Sequence, residues 1–182
     1  TDVISMHQSG VENVVASSGT SLTEGQVKLI ARFSKNVTVI YDGDSAGIKA
    51  SLRGIDMILR EGLNVRVVLL PEGEDPDSFA RSPSATELKE YISENEQDFI
   101  SFKAKLLMDE ASSDPIKRAA LITDIVESIA VIPEAIARSV YIKECALLMR
   151  IDENVLQDEV RRRRRDTVFS QEEKEFFRRR EQ

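Results

Sequence analysis

Three stretches of the chain carry apolar side chains on most positions, and helical spacing separates them. Asn13–Ser17, Val37–Tyr41 and Asn64–Leu70 read as strands, the second and third apolar almost throughout, as expected where helices cover both faces of a sheet. After the first strand comes the small polar turn 18–21. Thr23 and Gln26 then form a capping box with Leu22 and Val27 as its staple, predicting a helix to about Phe33. A second helix follows Tyr41-Asp42-Gly43-Asp44 and ends at Gly62, a suitable C′ glycine. Pro71 closes the third strand, an acidic loop follows, and Ser84 with Glu87 predicts a helix through about Ser93. The order β-α-β-α-β-loop-α implies a parallel α/β sheet with right-handed crossovers.

From Glu96 onward only helical spacing remains, broken at Asp114-Pro115 and Pro133. Asp114 as N-cap and Pro115 at N1 predict a helix whose face is Ile116, Ala119, Ile122, Val126 and Ile129. Pro133 opens another, with Ile136, Val140, Tyr141, Leu147 and Leu148 to pack. Asp152 caps a last one, stapled by Ile151 and Val155. The expected organisation is an α/β domain over 1–95, an all-α helical bundle over 96–165 and a charged linker or disordered tail over 166–182. The tail is preceded by the run Arg161–Arg165, expected to project into solvent.

Composition narrows the class. With 41% hydrophobic and 31% charged residues, 182 residues suffice for one ordinary globular domain or two small ones. No apolar run is long enough for a membrane span, and the first residues have no basic region of a signal peptide. A single cysteine, Cys145, excludes an intrachain disulfide and fits a reducing cytoplasm. One histidine, His7, and one cysteine cannot build an ordinary zinc site, so any metal here is held by oxygen. His7 reads as a surface or interface side chain and Cys145 as a small buried hydrophobe.

The net charge of −7 is unevenly spread. Residues 161–182 hold nine basic and five acidic side chains, +4, against 16 and 27 in 1–160, −11. A self-sufficient DNA-binding domain would show a basic stripe. The main body shows none. The arginine run suits either phosphate contact or a basic linker, and the turn at Met149–Asp152 lacks the basic following helix of a DNA-reading helix-turn-helix.

The candidate chemistry sits in Asp42-Gly43-Asp44. Two carboxylates directly after a buried strand lie at the carboxyl edge of the sheet, where open α/β folds bind ligands. A second acidic loop, Glu72–Asp77, follows the next strand and reaches the same edge if the strands are parallel. Carboxylates so gathered repel unless a hard cation lies between them. An EF-hand loop is excluded, because Ala46 and Arg53 stand at ligand positions and a strand enters the loop. A haloacid-dehalogenase-like phosphatase fits poorly, lacking Thr or Val after the second acid and an evident later lysine loop.

Three motifs in this order resemble the Toprim domain of bacterial replicative DNA primases of the DnaG type. They are Val15-Ala16-Ser17-Ser18-Gly19-Thr20-Ser21-Leu22-Thr23, Tyr41-Asp42-Gly43-Asp44-Ser45-Ala46-Gly47 and Leu70-Pro71-Glu72-Gly73-Glu74-Asp75-Pro76-Asp77-Ser78. Topoisomerases and recombination proteins share the second motif but not the third. The resemblance spans about residues 1–165. It implies a primer-synthesising, DNA-dependent RNA polymerase working by two-metal phosphoryl transfer, with Asp42 and Asp44 as ligands of Mg²⁺ or Mn²⁺. Asp2, Asp75 and Asp77 would complete the cluster directly or through water, and Lys49 would meet nucleotide phosphate. It further implies a glutamate upstream of Thr1, a zinc-binding domain and a basic half of the core outside this chain, so that these residues alone are expected to be inactive. Implied partners are single-stranded DNA, ribonucleoside triphosphates and a replicative helicase, the last through a C-terminal domain outside the chain; the implied location is the bacterial cytoplasm at the nucleoid. The alternative reading is a Toprim-bearing adaptor or nuclease-like protein of repair or recombination.

Overall fold

The computed structural model describes residues 2–17, 22–42, 45–81, 85–110 and 114–180, with backbone alone at 45–51, 53, 85–86, 109–110 and 168–180. Among these the order is α1 (Asp2–Gln8), α2 (Glu24–Ala31), β1 (Asn36–Tyr41), α3 (Ser45–Arg60), β2 (Asn64–Leu69), α4 (Pro76–Arg81), α5 (Ala85–Asn95) and β3 (Gln97–Asp98). Then come α6 (Phe99–Glu110), α7 (Pro115–Val131), α8 (Ala135–Met149) and α9 (Glu153–Arg180). The chain divides into two compact units, Thr1–Phe102 and Lys103–Gln182.

In the first unit, β1 and β2 pair in parallel from Asn36↔Asn64 to Tyr41↔Leu69, and α3 is the crossover between them. Leu52, Ile55, Ile58 and Leu59 form one buried stripe of α3, against Val65, Val67 and Val68 of β2 at 0–3% exposure. Each such side chain contributes about 1.5–3 kcal/mol on leaving water. Gly62 ends the α3 turn at φ 75°, a conformation that a side chain would strain. The Thr23–Gln26 capping box forms as the sequence predicts.

Two expectations for this unit fail. Residues 13–17 are not a strand: Val14 packs onto a small core of Met6, Ala80 and Leu88, while Val15 is 74% exposed. The segment's half-buried Val14 serves that core instead of a ladder. The third strand is the two-residue β3, antiparallel to β2 through Arg66↔Asp98 and Val67↔Gln97. The sheet, ordered β1-β2-β3, is therefore mixed and extends past the predicted boundary at 95.

In the second unit α7, α8 and α9 pack together through Ile125, Val126 and Ile129, through Ile142, Cys145 and Met149, and through Leu156 and Val160. Asp114 caps α7 by accepting from the Ile116 and Lys117 amides, with Pro115 at N1. Asp152 accepts from Asn154 N at 2.8 Å at the start of α9. The predicted faces are only partly right. Ile116, Ile136, Val140 and Leu147 are 54–82% exposed, and α8 turns Ile142, Cys145, Ala146 and Met149 inward. Arg150, the α8 C-cap, adopts the left-handed conformation at φ 53° and ψ 53°. No helix of the described residues is long and apolar enough to cross a membrane.

Arg161–Arg165 does not form a free tail, as the backbone stays helical from Glu153 to Arg180. Arg162 bonds Glu159 at 2.5 and 2.9 Å, and Arg163 reaches Glu127 at 2.6 Å. Arg164 donates to the carbonyls of Ala130 and Ile132 at 2.8 and 3.0 Å. Arg138 donates to Ile132 and Pro133, both at 2.7 Å. Two guanidinium groups thus satisfy the carbonyls left over where α7 ends, the negative pole of its dipole.

Candidate metal and nucleotide site

Asp42 directly follows β1, and its side chain is exposed. Because β1 and β2 are parallel, the loop after β2 emerges at the same sheet edge; Leu70 N donates to Tyr41 O at 3.0 Å, extending the pairing one step. That loop, from Pro71, carries the second acidic group. Asp44 lies outside the described residues, and Lys49 lies in α3 where the backbone alone is described. Burial pushes the Tyr41 phenol up to about 12, so it stays protonated beside this edge.

The acidic loop is shaped by α4. Asp75 is its N-cap and Pro76 its first residue, as Pro's missing amide allows. Ser78 N donates to Asp75 Oδ1 at 2.7 Å and Asp75 N donates to Ser78 Oγ at 3.0 Å, a reciprocal box using serine where glutamate is usual. Ser78 Oγ also donates to Glu74 Oε2 at 2.5 Å. Phe79 meets Tyr91 with ring centroids 4.8 Å apart, and Tyr91 OH donates to Leu69 O at 3.0 Å. The loop is therefore held from both α4 and α5.

Asp77 is differently placed. Its carboxylate accepts the hydroxyl of Ser5, a residue of α1 only 8% exposed, and pairs with Arg81 at 2.8 Å. The Ser5 hydroxyl first, then Arg81, hold its carboxyl below the usual range. Asp2 begins α1, one turn before Ser5, and is exposed. Among the described residues no three His, Cys, Asp or Glu side chains are gathered for one ion. The carboxylate oxygens of Asp42 and Asp75 suit a hard divalent cation. Those of Asp77 are engaged by α1 and by their own helix.

Sequence patterns alone do not single out Ser5 or Tyr91. A signal for Ser78 exists, since Asp-Pro-Asp-Ser carries cap, N1 proline and N3 partner. Ser5 and Tyr91 act across 72 and 22 residues of chain, which no local pattern encodes.

The fold and this edge define a Toprim-like α/β unit followed by a helical region. The Toprim-like family profile matches residues 1–80, and that of the DnaB-helicase binding domain of primase matches 105–154. The chain is 39% identical over 147 residues to a DNA primase of Listeria innocua, covering 80% of this chain and 24% of that protein. It is 34% identical over 161 residues to a DNA primase of Clostridium acetobutylicum, covering 86% and 26%. A DNA primase domain from Pseudomonas aeruginosa superposes with TM-score 0.75 at 28% identity, over 88% of this chain and 51% of that one. A DnaG primase catalytic domain bound to single-stranded DNA gives TM-score 0.72 at 30% identity, over 84% and 50%.

The family matches, the relatives and the structural neighbours together support a fragment of a DnaG-type bacterial DNA primase. The chain spans about a quarter of the length of the curated relatives it matches. The adaptor or nuclease-like alternative is not favoured by these relatives. The helicase-binding match at 105–154 falls inside the chain, whereas the family resemblance alone puts that contact outside it.

Proposed function

We propose that these residues form the metal-binding part of a primer-synthesising RNA polymerase that copies single-stranded DNA. The supporting observation is the parallel pairing of β1 and β2, which brings Asp42 and the loop at Asp75 to one sheet edge. Primer synthesis is assigned to a protein of the relatives' full length, not to these 182 residues alone. Work on a chromosomal template implies the bacterial cytoplasm.

The group the family implies, divalent cations of the Mg²⁺ or Mn²⁺ kind, supplies positive charge to triphosphate oxygens and lowers the pKa of a primer 3′-hydroxyl. Asp42 and Asp44 are the residues that hold this charge. Asp75, anchored by Ser78, and Asp2, carried on α1, extend the acidic surface, reaching the site directly or through water. Lys49, early in α3, meets phosphate. No side-chain nucleophile is required, because positioning and charge do the chemistry. Residues 105–154 are the candidate contact with a replicative helicase, resting on their match to the helicase-binding family.

Calorimetric titration of the chain with Mn²⁺ tests this. A weak site is expected, since Mg²⁺-type ions keep waters and bind through few carboxylates. Asp42→Ala and Asp44→Ala should each abolish it. The equivalent substitutions in a full-length primase should eliminate primer synthesis with the fold intact. Unchanged Mn²⁺ binding in the double variant would overturn the assignment.

A further inference from the structure

Resting on that reading of the acidic edge, we propose that Asp77 is a positioning residue, not a metal ligand. With Ser5 it clamps α1 to α4 and so fixes Asp2 relative to Asp75. Helix α1 has seven residues, too few to be stable alone. Met6 anchors it in the core with Ala80 and Leu88. Two side-chain hydrogen bonds then tie it to α4: Ser5 Oγ to the Asp77 carboxylate, and Ser9 Oγ to Ala80 O at 2.5 Å. Ser9 stands one residue past α1, its amide still bonded to Ser5 O at 3.0 Å, so it lies one turn beyond Ser5; their partners Asp77 and Ala80 are three residues apart on α4. Two bonds on neighbouring turns fix sliding and rotation, which an apolar contact alone leaves loose.

Each of the two helices joined by the clamp carries an acid of the proposed set. On α1, Asp2 lies one turn before Ser5. On α4, Asp77 is two residues beyond Asp75, the cap whose carboxylate already holds Ser78 N. The Asp77 carboxylate meanwhile serves Ser5 and Arg81, on different helices. A carboxylate that accepts a buried hydroxyl and pairs with a guanidinium has fewer lone pairs left for a cation and a charge already offset. The two acids the clamp joins, Asp2 and Asp75, are brought into register by a third that does not bind.

The test uses the 182-residue chain and two readouts, Mn²⁺ affinity and hydrogen exchange at the amides of Ser9, Gly10 and Val11, which bond to the carbonyls of Ser5, His7 and Met6. Ser5→Ala and Asp77→Ala should each speed exchange there about tenfold, and together no more than either alone. Ser5→Thr should restore protection. Asp77→Asn, which still accepts the hydroxyl, should keep both protection and Mn²⁺ affinity within about twofold. Additive effects of Ser5→Ala and Asp77→Ala would overturn the clamp. So would an Asp77→Asn loss of Mn²⁺ affinity as large as that of Asp42→Ala. The Asp42→Ala variant, carried alongside, separates the two ideas: a failed metal reading leaves its Mn²⁺ binding intact, whereas a failed clamp shows in the Ser5–Asp77 coupling.

Discussion

The two units use their charges in opposite ways. In Thr1–Phe102 the acids at the sheet edge sit after strands, exposed at Asp42 and Asp75, while Asp77 is drawn into internal bonding. In Lys103–Gln182 several cations are consumed by the fold. Lys103, 1% exposed, meets Asp124 at 3.2 Å and Ser128 Oγ at 2.7 Å. Arg138 and Arg164 finish α7, and Arg118 donates to Met149 O at 2.5 Å where α8 ends. A charge count therefore cannot distinguish a ligand site from a scaffold. What distinguishes them is whether the partners lie within the chain.

The strongest way to break this contrast is to remove Lys103. Breaking a buried pair costs about 3–5 kcal/mol when both members are enclosed. Asp124 is 47% exposed and can return to water, so Lys103→Ala should cost about 3 kcal/mol, the cavity term included. Lys103→Met keeps the stem volume and should cost less, about 1–2 kcal/mol, chiefly from the Ser128 hydroxyl losing a partner. Urea denaturation measures both. A cost under about 0.5 kcal/mol for Lys103→Ala, the range of ordinary surface changes, would show that the lysine is not integral to the unit.

The arginine run sharpens the same contrast at smaller scale. Arg164→Ala removes two hydrogen bonds to carbonyls at a helix end and should destabilise by about 1–2 kcal/mol. Arg165→Ala, its exposed neighbour, should fall within about 0.5 kcal/mol of zero. Equal effects in thermal melts would mean that the run acts as a block of charge.

How far the sequence reveals this molecule follows the range of each interaction. Capping at Thr23, Asp114 and Asp152 is readable, because each cap is a contact within four residues. The Gly62 turn is likewise local, its amide donating to Leu59 O at 2.9 Å. The pairing of β1 with β2 is readable too, since short apolar runs joined by one helix leave few arrangements. The failures are long-range. Val14 and Val15 have strand-like composition, yet Val14 serves a core shared with α1 and α4. Glu96-Gln97-Asp98 has no strand signal, and still Gln97 and Asp98 pair with β2, where Arg66 bonds Glu96. Of the site, Asp42 and the loop at Asp75 are legible from order and direction alone. The engagement of Asp77 is not, because Ser5 lies 72 residues away and no local pattern encodes that contact.

The smallest expected effect concerns pH. Glu159 accepts two hydrogen bonds from Arg162, at 2.5 and 2.9 Å, and one from Arg163 at 3.3 Å. Arg162 first, and Arg163 after it, hold its carboxyl below the usual glutamate range. A carboxyl depressed in the folded state binds its proton less readily there than in the unfolded chain. Its stabilising contribution is therefore complete above the unfolded value of about 4.3, and is lost as pH falls through the lower folded value. The side chain is 31% exposed, so solvent and salt weaken the effect. Denaturation midpoints followed from pH 6 down to pH 3 (roughly the range in which carboxylates titrate) should fall less steeply in Glu159→Gln than in the unaltered chain. The difference should shrink as salt is added. An identical acid slope in the two proteins would mean that the Arg162 and Arg163 contacts to Glu159 contribute nothing to folding, and that Arg164, seated on the α7 carbonyls, is what ties this run to the scaffold.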